Sequence, residues 1–130
     1  MNRPTDNRAA TVLIADDSFD TRDMYRLYFG HEGYRTYTAA DGDAAVHMAR
    51  SVLPDVIVMD LSMPFVDGLT AVKRLRREPQ TRTTPVILLT GYPSKDVERG
   101  AMQAGVNVFL TKPCLPEDLE HRVRQLLENR

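Results

Sequence analysis

The stretch DVIVMDLSMPFVDG, residues 55–68, decides the fold of this chain. It opens with an apolar run at residues 56–59, which is typical of a strand buried on both faces of a parallel sheet. The run ends at Asp60, and a buried carboxylate is costly unless a partner compensates its charge. Met63-Pro64 favours a turn, and Asp67-Gly68 leads into a helical pattern. We therefore expect Asp60 at the carboxyl end of a central strand, where open α/β sheets bind ligands.

Composition sets the class of protein. The chain has 130 residues, 42% hydrophobic and 27% charged, which fits one globular domain with a real core. Its net charge of -1 argues against direct binding of nucleic acid through a basic field. No apolar run approaches the roughly 18 residues of a membrane helix, and a single cysteine, Cys114, favours a reducing compartment. We expect a cytoplasmic protein without membrane contact, with residues 1–10 as a flexible tail and residues 11–130 as the domain.

The rest of the chain alternates between strand and helix patterns. Further strands are predicted at residues 11–15, 34–38, 86–89 and 107–110, and an amphipathic helix follows each of the five strands. Asp17 or Ser18 is expected to cap the first helix, which is predicted to turn Met24, Leu27 and Tyr28 inward. This alternation predicts an α/β fold, a doubly wound five-stranded parallel sheet flanked by five helices.

Polar side chains follow four of these strands at the same edge of the predicted sheet. They are Asp16 and Asp17 after the first strand, Asp60 at the third, Thr90 at the fourth and Lys112 after the fifth. Three carboxylates in one crevice repel one another, and a hard cation such as Mg²⁺ relieves that repulsion. A cation, a lysine and a hydroxyl around one carboxylate suit a phosphoryl group, and a carboxylate can act as the nucleophile.

These residues form motifs that resemble the receiver domain of two-component response regulators. The motifs are DD at 16–17, DLSMPFVDG from Asp60, TG at 90–91 and KP at 112–113. Each is weak alone, but all four occur in order and at strand ends. The resemblance covers residues 11–128 and implies a flavodoxin-like fold.

The resemblance implies a role for each site residue. Asp60 is expected to be the phosphoacceptor, and Mg²⁺ to be held by Asp16, Asp17, Asp60 and the backbone carbonyl of Ser62. Thr90 and Lys112 are expected to contact the phosphoryl oxygens, with a cis peptide bond between Lys112 and Pro113. Thr90 and Phe109 are the expected switch pair, in which Thr90 moves toward the phosphoryl group and the aromatic ring fills the space.

The resemblance also implies partners. The expected phosphoryl donor is a histidine kinase or a phosphotransfer protein, and the signal passes to a downstream protein or output domain. A phosphorylation-dependent homodimer is a further candidate partner. Such a domain assists its own phosphorylation and dephosphorylation but is not an enzyme with an independent substrate. A stand-alone receiver and one domain of a longer protein are both compatible with the sequence.

Two other functions compete with this interpretation. A pseudo-receiver that binds partners without phosphorylation would often lack part of the set Asp16, Asp17, Asp60, Thr90 and Lys112, which is complete here. A hydrolase with an aspartyl-phosphate intermediate would usually carry a second carboxylate at position 62, which is Ser62 in this chain. The bulky Tyr92, two residues after Thr90, is a candidate shield that would lengthen the life of the phosphorylated state. The three histidines are expected at the surface.

Overall fold

A computed structural model describes residues 9–129 of the chain, and its centre is one five-stranded parallel sheet. The strand order is β2-β1-β3-β4-β5. The strands are β1 Thr11–Ala15, β2 Arg35–Ala39, β3 Val56–Asp60, β4 Val86–Thr90 and β5 Val108–Thr111. The predicted sheet is confirmed, with strand ends shifted by one residue in β2, β4 and β5. Residues 1–8 of the predicted flexible tail lie outside the residues that the structure describes.

Five helices connect and follow the strands. They are α1 Phe19–His31, α2 Gly42–Val52, α3 Gly68–Arg76, α4 Lys95–Ala104 and α5 Pro116–Glu128. Four of them begin at a side chain that accepts a hydrogen bond from the backbone N–H three residues on, and these caps are Ser18, Asp41, Asp67 and Ser94. Such caps satisfy backbone donors that have no partner within the helix. Of the two predicted caps for α1, Ser18 is the one used.

The core consists of two layers, one on each face of the sheet. Alternate strand residues point to opposite faces, so Leu13, Ile57 and Leu88 pack with α2, α3 and α4, while the residues beside them pack with α1 and α5. Every residue of β3 and β4 is buried. This double burial explains why residues 56–59 form an unbroken apolar run and why Asp60 emerges at the edge.

The predicted inward face of α1 is wrong. The structure buries Tyr25 and Phe29, leaves Met24 and Leu27 exposed, and only half-buries Tyr28. Tyr25 can be buried because its hydroxyl donates to the Cys114 carbonyl at 2.6 Å. Apolar residues lie on several sides of this helix, so their spacing did not identify one face. Within residues 9–129, no helix has the length and apolar character needed to cross a lipid bilayer.

Candidate functional site

Three carboxylates meet at the carboxyl edge of the sheet. Asp16 follows β1, Asp60 ends β3, and one oxygen from each of these two and from Asp17 lies within 4.8 Å of the others. Asp16 and Asp60 are buried, Asp60 being 4% exposed, while Asp17 is exposed. Asp16 is held in place, because its Oδ1 accepts from the Ser18 N–H at 2.9 Å and its carbonyl accepts from Arg22 at 2.8 Å.

Lys112 supplies the cation beside this acidic cluster. Its Nζ lies 3.2 Å from Oδ2 of Asp16 and 3.3 Å from Oδ2 of Asp60. The backbone holds the lysine at the edge, since its N–H donates to the Thr90 carbonyl at 2.8 Å. The Lys112–Pro113 peptide bond is cis, as predicted. One ammonium therefore bridges two of the three carboxylates, and the cluster keeps an excess of negative charge.

The electrostatics of the site follow from burial and from these charges. Burial raises the pKa of Asp60, repulsion from Asp16 raises it further, and the ammonium of Lys112 acts in the opposite direction. Burial alone would lower the pKa of Lys112, but attraction to Asp16 and Asp60 outweighs it and the pKa is raised. The lysine thus stays charged, and a further cation would reduce the repulsion that remains between the carboxylates.

Thr90 ends β4, the strand that pairs with β3, and its side chain is buried at the same edge. Its Oγ1 accepts a hydrogen bond from the Tyr92 N–H at 3.1 Å, and the hydroxyl can at the same time donate its hydrogen to a second group. Phe109 lies in β5, paired with Leu88, and packs half-buried against the α2–α4 layer. Phe109 therefore lies on the strand next to that of Thr90, but further from the carboxyl edge of the sheet than Thr90 does.

The loop that follows Asp60 is tied to the sheet. The Leu61 N–H donates to the Leu89 carbonyl at 2.8 Å, and the Gly68 N–H donates to the Leu61 carbonyl at 2.9 Å. A Cβ at Gly68 would lie 2.3 Å from the Asp60 carbonyl oxygen, so this close approach requires glycine. Ser62 lies in this loop with an exposed side chain, two residues after Asp60.

The structure brings Asp16, Asp17, Asp60 and Lys112 together, with Thr90 on the neighbouring strand. His31, His47 and His121 are exposed, as expected, and Cys114 is half-buried. Sequence reasoning missed two contacts near the site. One is Arg22, which holds the Asp16 carbonyl, and the other is Tyr25, which is buried near Asp16 and Asp60. Both depend on the rotation of α1, which its mixed apolar pattern did not reveal.

The sheet order and the acidic edge define a doubly wound α/β domain with a cluster of three carboxylates at its strand ends that could hold a metal ion. A family model described as the response regulator receiver domain matches residues 12–124. The chain belongs to the response regulator receiver domain family of two-component systems. The resemblance stated from the motifs is confirmed.

Individual relatives and solved structures are similar to most of this chain. The chain is 35% identical over 114 residues to an uncharacterised 14.6 kDa protein of Leptolyngbya boryana, covering 88% of this chain and 87% of that one. It is 36% identical over 118 residues to the response regulator PleD of Caulobacter vibrioides, covering 91% of this chain but 26% of PleD. The solved structure of the chemotaxis protein CheY4 of Vibrio cholerae matches with a TM-score of 0.87 and 34% identity, covering 92% of this chain and 99% of that one.

Proposed function

We propose that this receiver domain accepts a phosphoryl group on Asp60 from a phosphohistidine of a partner protein. The observation that carries the proposal is the buried Asp60 carboxylate at a strand end, with Lys112 Nζ at 3.3 Å and two further carboxylates within 4.8 Å. An Asp60 oxygen attacks phosphorus, and the P–N bond of the donor breaks. The bonding electrons and then a proton go to the imidazole, and an acyl phosphate remains on Asp60.

The acidic cluster fits a divalent cation. Carboxylate oxygens are the ligands that Mg²⁺ prefers, and three of them lie close enough to share one ion. We infer that Asp16, Asp17, Asp60 and the Ser62 carbonyl hold it, the last on family resemblance. When bound, Mg²⁺ would offset the charge of the carboxylates and bind a phosphoryl oxygen.

Lys112 and Thr90 then have separate tasks. Lys112 already contacts Asp60, so its ammonium can transfer to a phosphoryl oxygen formed on that carboxylate without a long movement. The Thr90 hydroxyl can donate to another phosphoryl oxygen, and its displacement would open space for Phe109. Phe109 is only half-buried against the α2–α4 layer, so its ring could become more buried, which supports this switch.

Receiver domains pair with histidine kinases and with output domains, and the longer relative PleD is named a response regulator. We propose the same classes of partner for this chain, a histidine kinase or phosphotransfer protein upstream and a downstream protein or output domain. The domain acts as a phosphoacceptor that assists its own chemistry. Phosphorylation would change the face made by α4, β5 and α5.

Mass spectrometry of the intact protein tests the proposal. The protein is incubated with acetyl phosphate or phosphoramidate, with Mg²⁺ or with EDTA. We expect a mass gain of one phosphoryl group, dependent on Mg²⁺ and removed by hydroxylamine, which cleaves acyl phosphates. Asp60→Asn should abolish the gain. Asp20→Asn, which makes the same charge change on the exposed first turn of α1, should keep it.

Other results would contradict the proposal in distinct ways. Well-folded protein that gains no mass with either donor would favour the pseudo-receiver. A mass gain that survives Asp60→Asn would place the phosphoryl group on another residue. Continuous release of inorganic phosphate from small phosphate esters, at many turnovers per protein, would favour the hydrolase.

A further inference from the structure

Phe65 is almost fully solvent-exposed beside the acidic site. Its side chain is 94% exposed, and it lies in the β3–α3 loop five residues after Asp60. Tyr92, in the β4–α4 loop, is 84% exposed at the same carboxyl edge of the sheet. Single exposed apolar residues are common on proteins and carry no message by themselves. The backbone of Phe65 distinguishes it from them.

Phe65 has a left-handed backbone, with φ of 67°. The Val66 N–H donates to the Pro64 carbonyl at 2.7 Å, a bond that skips one residue and closes a γ-turn around Phe65. A positive φ is an outlier for a bulky side chain and would suit glycine far better. Strained residues of this kind persist where the surrounding structure enforces them, and they concentrate at functional sites.

The surrounding loop enforces this conformation on both sides of Phe65. The Val66 carbonyl accepts from the Gly42 N–H at 3.0 Å, which ties the loop to the start of α2. A Cβ at Gly42 would lie only 2.2 Å from that carbonyl oxygen, so the contact is tight. On the other side, the Gly68 N–H donates to the Leu61 carbonyl at 2.9 Å. The aromatic ring is therefore presented to solvent from a fixed loop.

We propose that Phe65 is an aromatic anchor for the phosphohistidine-bearing protein that delivers the phosphoryl group, an inference that rests on the proposed function. Asp60, Asp16 and Thr90 are nearly fully buried, so the donor histidine must approach through the carboxyl edge. The body of its protein then covers the loops around that opening, including the one that carries Phe65. Aromatic side chains dominate binding energy at such interfaces, and a ring held in place loses little entropy on binding.

A second feature of the same edge of the sheet supports a protein, as opposed to a small molecule, as the phosphoryl donor. A groove of about 320 Å³ begins at Lys112 and runs along α1, lined by Met24, Tyr25 and Pro113 among others. It lies on the α1 and α5 side of the sheet, whereas Phe65 leads into α3 on the other side. A partner that seats a histidine over Asp60 would thus find apolar surface on both flanks. A small phosphoryl donor needs neither flank.

The test compares a protein donor with a small donor that has the same P–N bond. The protein donor is the autophosphorylated histidine kinase that transfers fastest to the wild-type domain in a panel, and the small donor is phosphoramidate. Phe65→Gly is expected to lower kcat/KM for the kinase about 10- to 30-fold, mainly through KM. Its rate with phosphoramidate should equal that of the wild type. Phe65→Tyr, which keeps the ring, should retain the rate with the kinase.

Leu53 provides a matched control. It is also exposed and left-handed, with φ of 48°, but it lies between α2 and β3 at the opposite edge of the sheet. Leu53→Gly should leave both reactions unchanged. A kcat/KM for the kinase within twofold of wild type in Phe65→Gly would overturn the anchor and leave the ring to a downstream partner. A wild-type domain that reacts with neither donor would instead overturn the proposed function.

Discussion

Replacing Asp17 with asparagine is expected to stabilise the metal-free domain while removing its response to Mg²⁺. Asp17 is the exposed member of the three-carboxylate cluster, and Lys112 pairs with the other two members. Asparagine has nearly the same shape as aspartate but carries no charge. The substitution therefore removes repulsion and leaves the ion pairs of Lys112 in place.

The separation of the carboxylates sets the magnitude. At the 4.8 Å limit of the cluster, two like charges repel by about 0.9 kcal/mol in bulk water and about 3.5 kcal/mol at an effective dielectric constant of 20. Because Asp17 is exposed, solvent screening places each of its two repulsions near the lower figure. Attraction to the ammonium of Lys112 offsets part of these two repulsions, so Asp17→Asn should raise the free energy of unfolding of the metal-free protein by about 1 kcal/mol.

Urea unfolding measures this effect, in EDTA and in saturating Mg²⁺. The wild-type domain should gain about 2.7 kcal/mol when free Mg²⁺ is 100 times its Kd. In EDTA, Asp17→Asn should have a higher free energy of unfolding than the wild type, and it should gain much less from Mg²⁺. The difference in free energy of unfolding between the two proteins should therefore become smaller when Mg²⁺ is added. Asp20→Asn removes one negative charge outside the cluster, and this variant should gain as much stability from Mg²⁺ as the wild type does.

Two results would refute this reasoning. If Asp17→Asn were less stable than the wild type in EDTA, the carboxylates would not be in net repulsion. If it gained as much from Mg²⁺ as the wild type does, Asp17 would not contribute to the cation site, and the proposed ligand set would have to change.

Three further substitutions test other parts of the domain. Gly68→Ala should destabilise it by about 1–3 kcal/mol or more in urea unfolding, since the new Cβ would lie 2.3 Å from the Asp60 carbonyl oxygen. Gly100→Ala is the same change inside α4, where the new Cβ would meet no atom within 4 Å outside the helix's own backbone, so it should stabilise the domain by about 0.5–1 kcal/mol. A decrease in stability would contradict the open space at this position. Burial acts to raise the pKa of Glu120, but hydrogen bonds from Arg124 and Tyr34 outweigh it and the pKa is lowered. A carboxyl whose pKa is lowered by folding stabilises the protein above its unfolded pKa and loses that effect as pH falls through its folded pKa. Glu120→Gln should therefore cost about 1–3 kcal/mol near pH 7 and progressively less in acid, and a loss independent of pH would exclude the charge as its cause.

The sheet could be predicted from the sequence because β3 and β4 are buried on both faces. Such strands consist of continuous apolar residues, and each ends at a polar residue that marks the edge of the sheet. The site followed from this, since parallel strands bring their carboxyl ends together. Asp16, Asp60 and Lys112 meet as the sequence predicted, although their roles in phosphoryl transfer stay a prediction.

The helix faces and loop conformations could not be predicted in the same way. In α1 the apolar residues surround the helix, and the choice of Tyr25 over Met24 depends on a hydrogen bond to Cys114, which is 89 residues away in the chain. The left-handed backbone of Phe65 arises from contacts with Gly42 and Leu61 on either side of the turn. Neither effect is local, so neither leaves a pattern in the neighbouring residues.

Arg76 fixes the C-terminal end of α4. The guanidinium of this half-buried residue donates to the Gly105 carbonyl at 2.8 Å, just beyond the C-terminal end of α4, and to Oδ1 of Asn107 at 3.1 Å. The N-terminal end of α4, at Ser94, follows a loop of exposed residues near Thr90, and within the helix only Ala101 is buried. A tilt of α4 would thus pivot about Gly105. For a helix of ten residues, about 15 Å long, a tilt of about 10° moves the free end by about 2.6 Å. This displacement would be largest at the end beside Thr90 and would decrease toward Gly105, so the outline of the domain would change mainly around the start of α4.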